Sequence, residues 1–137
     1  MNDKEVLEKI KTYFGKNDDV VTVYLFGSRV KDCARQTSDL DLAVLFRENM
    51  DSIQRFEQKL QIANELEDLV ETKIDLVDLK SADLFFIYQI MKNKVILLDK
   101  DTSSRVSFEV NNRKRYFDFM RYYHQYRRLA MKRLKER

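Results

Sequence analysis

The spacing of apolar positions changes several times along the chain, and each change marks an element. Val6, Ile10, Tyr13 and Phe14 recur at helical spacing and predict an amphipathic helix over about Asp3 to Gly15, which Gly15 ends. From Val20 to Phe26 the pattern becomes a nearly continuous apolar run, as expected of a strand central in a sheet. Gly27-Ser28 and a ten-residue polar connection follow, and a second apolar run is entered through Asp39-Leu40-Asp41 and continued from Leu42 to Phe46. Asp51 and Gln54 form a capping box for a helix whose sheet-facing side is expected to carry Ile53, Phe56, Leu60, Ala63, Leu66 and Val70. A third strand spans Thr72 to Leu79. A helix over Ser81 to about Lys92, apolar nearly all round at Leu84, Phe85, Phe86, Ile87, Ile90 and Met91, calls for deep burial or cover by another surface. Lys94 to Asp99 reads as a short fourth strand. These elements make an α/β chain: a small mixed sheet with packed helices.

Candidate chemistry gathers at the ends of the strands. Side chains alternate along a strand, so Asp39 and Asp41 project from one face and can aim two oxygen ligands at one point. Hard divalent cations that carry nucleotide phosphates suit that geometry, and magnesium is the first choice. Gly27 lets backbone N–H groups approach a phosphate as the chain turns out of its strand, and Ser28 adds a hydroxyl. A short helix from Arg29 to about Arg35 would turn its positive end to the same anion. The bland alternative is an ordinary Gly-Ser turn and an ordinary strand-entry pair. Asp75 interrupts an apolar strand and adds a third carboxylate. Like charges roughly 4 Å apart repel by about 4 kcal/mol at an effective dielectric near 20, so three gather only around a cation or with shifted pKa values. Asp78, out of phase with Asp75, is expected on the opposite face and solvated.

Composition bounds the setting and singles out the tail. The 137 residues predict one domain, and the absence of a membrane-length apolar run or a secretory start predicts a cytoplasmic protein with no membrane partner. The single cysteine, Cys33, excludes an internal disulfide. A composition shift separates residues 1–104 from a helical extension over 105–137, which carries eleven basic and three acidic residues, about +8, beside about −5 for the rest. An apolar stripe at 116, 119/120, 123, 126 and 130 has helical period. Three readings compete for it: packing back on the domain, docking on an acidic partner subunit, or contact with nucleic acid, the last weighted least.

Gly27-Ser28-Arg29, Ala34-Arg35 and Ser38-Asp39-Leu40-Asp41-Leu42, with Asp75 in a later strand, resemble the signature of the minimal nucleotidyltransferases (MNT) of the DNA polymerase β-like superfamily. The likeness covers roughly residues 1 to 100; Asp32 departs from it, standing where many members carry glycine. The resemblance implies a nucleotidyltransferase fold and transfer of a nucleotide from a nucleoside triphosphate with release of pyrophosphate. Asp39 and Asp41 would hold two Mg²⁺ ions bridging the ATP phosphates, and Asp75 would complete one metal and help deprotonate the attacking hydroxyl. Gly27, Ser28 and Arg29 would bind the triphosphate, with Lys31 and Arg35 as further candidate contacts. Small stand-alone members are similar to the antitoxin half of HEPN/MNT toxin–antitoxin pairs, which implies AMP transfer from ATP to a tyrosine of a HEPN ribonuclease toxin within a hetero-oligomer. Two rivals remain: a non-enzymatic toxin-binding subunit, against which the intact triad argues, and a small-molecule nucleotidyltransferase, against which size argues. His124-x-Tyr126 is similar to the HEPN ribonuclease motif, but no arginine stands four to six residues before His124, so a nuclease site is discounted.

Overall fold

The computed structural model describes residues 2–27 and 39–136. The expected short helix from Arg29 to about Arg35 lies outside the described residues. The elements run α1 (Asp3–Gly15), β1 (Val20–Phe26), β2 (Leu40–Phe46), α2 (Ser52–Val70), β3 (Ile74–Asp78), α3 (Leu84–Lys92), β4 (Val95–Asp99) and α4 (Thr102–Lys135). The strands form one sheet in the order β3-β2-β1-β4. β1 is antiparallel to both β2 and β4, whereas β2 and β3 are parallel, so the sheet is mixed as the sequence predicts. The uniformly apolar β1 is an inner strand, flanked on both sides.

Each described helix begins on a side chain that accepts from an otherwise unpaired backbone N–H: Asn2, Asp51, Asp83 and Asp101. The Asp51/Gln54 capping box is present in both directions. The helix expected from Ser81 starts at Leu84. Ser81 and Lys80 are engaged by the Asp78 carboxylate instead, and Asp83 supplies the cap.

Two layers of helix sandwich the sheet. Val6, Ile10 and Phe14 of α1 and Ile62, Leu66 and Val70 of α2 cover the face carrying Val23, Leu25, Leu42 and Val44. The other face carries Tyr24, Ala43 and Leu45 beneath Ile87 and Ile90 of α3, with Phe108 of α4 against them. Two expectations need correction here. Leu66 and Val70 face the sheet as expected, but Ile53 (68% exposed), Phe56 (59%) and Leu60 (51%) point to solvent. The apolar stripe of α2 is wider than its contact. Its rotation is pinned from the opposite edge by Arg55, whose Nε donates to Asp78 Oδ2 at 2.9 Å. Asp78 does take the face opposite Asp75, but it is buried rather than solvated, because Arg55, Ser81 Oγ and the Lys80 N–H satisfy its carboxylate. α3 is likewise only half covered: Phe85 and Phe86 remain exposed.

α4 is held on the sheet by a polar knot in its first turns. Glu109, 8% exposed, accepts from Tyr24 Oη at 3.0 Å and Arg105 Nη1 at 2.7 Å, and pairs with the Lys94 ammonium. Arg105 also donates to Asp99 at 2.7 Å. Burial pushes the Glu109 carboxyl up, but the bonds from Lys94, Arg105 and Tyr24 outweigh it and leave its pKa below the ordinary carboxylate value. Burial and the neighbouring Glu109 charge together raise the Tyr24 phenol above its usual range. Further along, Tyr116 stacks on Tyr88 with ring centroids 3.7 Å apart. The expected stripe therefore packs back on the domain at Tyr116 but not at Tyr123 or Tyr126, which are exposed.

Candidate active site

β1, β2 and β3 bring their chemistry to one end and one face of the sheet. Phe26, the last residue of β1, pairs with Asp41 of β2, and Asp41 pairs with Asp75 of β3. Gly27 therefore leaves its strand directly beside the Asp41 carboxylate. Its φ of +83° belongs to the left-handed region, and a Cβ built on it would stand 2.1 Å from Asp41 Oδ2. Both constraints demand glycine. Alternation places Asp41 and Asp75 on the face that carries α3 and α4. There Phe86 of α3 meets Phe26 edge-on at 6.0 Å and gives the site an apolar flank.

The carboxylates differ in environment. Asp41 is half-buried, while Asp39, immediately before β2, and Asp75 are exposed. Burial raises the Asp41 pKa, and the negative charges of Asp75 and then Asp39 raise it further, with a hydrogen bond linking the Asp41 and Asp75 carboxyls. A half-buried carboxylate facing two further carboxylates favours an incoming positive charge. Among the described residues no three carboxylate, imidazole or thiol groups enclose a cation by themselves. The set fits a magnesium ion that takes only one or two carboxylates and completes its shell with water and substrate phosphate oxygens. This donor set suits a cation carrying phosphates, and glycine at position 27 lets the Asp41 carboxylate lie against the backbone of the turn.

Of the sequence-predicted residues, the structure sets Gly27 and Asp75 beside Asp41, and Asp39 lies near enough to raise the Asp41 pKa, but among the described residues the three carboxylates do not close into one metal-holding group. Ser28, Arg29, Lys31 and Arg35 lie outside the described residues, as do Asp32 and Cys33. Sequence reasoning assigns Phe86 no part in the site, because its helix, apolar nearly all round, calls only for deep burial or cover by another surface. A phenylalanine at 41% exposure on the helix that closes over the carboxylate face is the structural signal for it.

A mixed sheet carrying a glycine turn and an Asp-x-Asp on adjacent strands, with a further aspartate on the next, is a nucleotidyltransferase fold. The family profile described as "Polymerase beta, Nucleotidyltransferase" matches residues 8–103, and the chain belongs to that family. A protein adenylyltransferase MntA of Shewanella oneidensis is 30% identical over 91 residues, which is 66% of this chain and 60% of that protein; the match thus spans less than two thirds of the relative's length. Among solved structures, a chain of a toxin–antitoxin crystal structure with AMP-PNP superposes with a TM-score of 0.66 at 28% identity, covering 82% of this chain and 88% of that one. A chain from the complex of a tri-AMPylated Shewanella oneidensis HEPN toxin with an MNT antitoxin gives 0.63 at 26% identity, covering 85% and 87%.

Proposed function

We propose that this chain is a Mg²⁺-dependent protein adenylyltransferase that transfers AMP from ATP to a tyrosine hydroxyl of a cognate HEPN ribonuclease toxin and so neutralises it in the cytoplasm. The observation that carries the reading is the alignment of Gly27, Asp41 and Asp75 across three neighbouring strands, in a member of the nucleotidyltransferase family. The solved likenesses, one with AMP-PNP and one with an AMPylated HEPN toxin, supply the nucleotide and the acceptor class.

Asp39, Asp41 and Asp75 would between them hold two magnesium ions, which when bound would neutralise the triphosphate and draw charge from the phosphorus under attack. The rest is the work of the protein's own groups. Gly27 leaves room for the Asp41 carboxylate against the turn, and Gly27, Ser28 and Arg29, consecutive in sequence, would bind the triphosphate. Asp75, exposed on the neighbouring strand, would accept the proton of an incoming hydroxyl. The partner's tyrosine oxygen forms a bond to the α-phosphorus as the bond to the β-phosphate bridging oxygen breaks, and pyrophosphate leaves.

The test incubates the chain and its cognate HEPN protein with ATP labelled at the α-phosphate. Label should enter the HEPN protein with Mg²⁺, and EDTA should prevent it. Asp39→Asn/Asp41→Asn should abolish labelling in a folded protein, and Asp75→Asn should lower it by roughly 10²–10⁴-fold. Full labelling by the double variant would exclude this site.

A further inference from the structure

α4 has 34 residues and is about 50 Å long at roughly 1.5 Å per residue, longer than the sheet it packs on. Its inner side carries Phe108, Glu109, Asn112 and Tyr116, the last stacked on Tyr88 and met edge-on by Phe85. Following that same side outward at helical spacing come Met120, Tyr123, Arg127, Ala130 and Leu134. The packing stripe thus continues for several turns with no domain beneath it. Tyr123 is 43% exposed, Tyr126 at the stripe's edge 66% and Leu134 62%.

Three kinds of occupant are conceivable, and charge separates them. Between residues 117 and 135 the helix has six basic side chains, Arg121, Arg127, Arg128, Lys132, Arg133 and Lys135, against one acid, Asp118. Pairing the stripe with that of a second copy would therefore bring like charges together along the whole contact. Single-stranded nucleic acid would match the charge, but Ala130 and Leu134 offer a base no ring to stack on. An apolar protein surface bordered by carboxylates matches both features at once.

We infer that the outer half of α4 is a docking surface for an acidic partner protein, whose apolar seam covers Tyr123, Ala130 and Leu134 while its carboxylates meet Arg127, Arg128 and Lys132. The inference rests on the reading that the chain modifies a protein, and it names the surface that holds that protein. Tyrosine and arginine anchors at the centre of such a contact carry most of its affinity, and the surrounding charges speed encounter.

The test uses the full chain and the cognate HEPN protein. Tyr123→Glu/Leu134→Glu should weaken the complex at least 100-fold by calorimetry, and Arg128→Glu/Lys132→Glu should slow association and flatten its salt dependence. Both variants should bind ATP as before, since the substituted residues are exposed and remote from the packed core. Unchanged partner affinity in the first variant would overturn the inference while leaving AMP transfer intact. A complex that is lost in the variants but carries no label in the wild type would support the docking surface and refute the transfer reading. Self-association of the free chain abolished by Tyr123→Glu/Leu134→Glu would overturn the inference in favour of a second copy. Binding of a polyuridine oligonucleotide abolished by the same change would overturn it in favour of RNA.

Discussion

Gly27 and Asp41 define each other. A Cβ at position 27 falls on the Asp41 carboxylate, and a left-handed backbone is unfavourable by about 1–2 kcal/mol for a residue with a side chain. Gly27→Ala should therefore lower stability by about that amount and displace Asp41. Calorimetry should show ATP affinity falling at least tenfold; unchanged affinity would make the turn merely structural. Asp41 makes a second, opposite prediction. A carboxyl whose folded pKa is raised contributes stability fully present below its unfolded pKa and lost as pH rises through the folded value. At neutral pH without magnesium, Asp41→Asn should raise the melting temperature while removing activity, and the gap should narrow in acid. Glu109 has the reverse sign: its lowered pKa gives stability above the unfolded value that is lost as pH falls through the folded one. Asp39, Asp41 and Asp75 stand out in the sequence because strand alternation and a lone aspartate in an apolar run are local signals. The Asp41–Asp75 pairing does not, since it depends on the parallel register of β2 and β3.

The elements themselves follow from periodicity and capping, and where the sequence misleads, a tertiary contact has overruled a local pattern. α2 shows this best. Its apolar stripe includes Ile53, Phe56 and Leu60, yet the helix is turned by the Arg55–Asp78 pair, whose side chains are 13% and 4% exposed. Sequence phase placed Asp78 opposite Asp75 correctly; it could not reveal an arginine 23 residues earlier arriving to neutralise it. Breaking a buried ion pair from one side strands the other charge, a loss of about 3–5 kcal/mol. Arg55→Ala should lower unfolding free energy by about that much in urea, and Phe56→Ala, on the exposed edge of the same helix, by less than about 0.5 kcal/mol. Equal effects from both would show that the helix faces the sheet through its aromatic edge after all.

Across the whole molecule, packing and charge are divided along the length of α4. Its first half is sewn to β1, β4 and α3 through Tyr24, Asp99, Lys94 and Tyr88. Beyond Phe119, which still meets Phe85 edge-on, the helix is basic and largely exposed. The composition shift at residue 105 falls in the first turn of α4, so it marks neither the start of that element nor the point where its packing on the domain ends. Helices draw most of their stability from tertiary packing of one face. The outer turns, lacking that face, should contribute little to the fold. A chain ending at Met120 retains Glu109, Asn112, Tyr116 and every residue of the two cores. It should therefore unfold within about 1 kcal/mol of the full chain, a shift of only a few degrees in a domain of this size, and bind ATP with unchanged affinity. Labelling of the HEPN protein should fall steeply at low partner concentration and recover as that concentration is raised, because recognition has been removed and chemistry has not. A large drop in melting temperature would instead show that the outer helix is part of the domain's core stability.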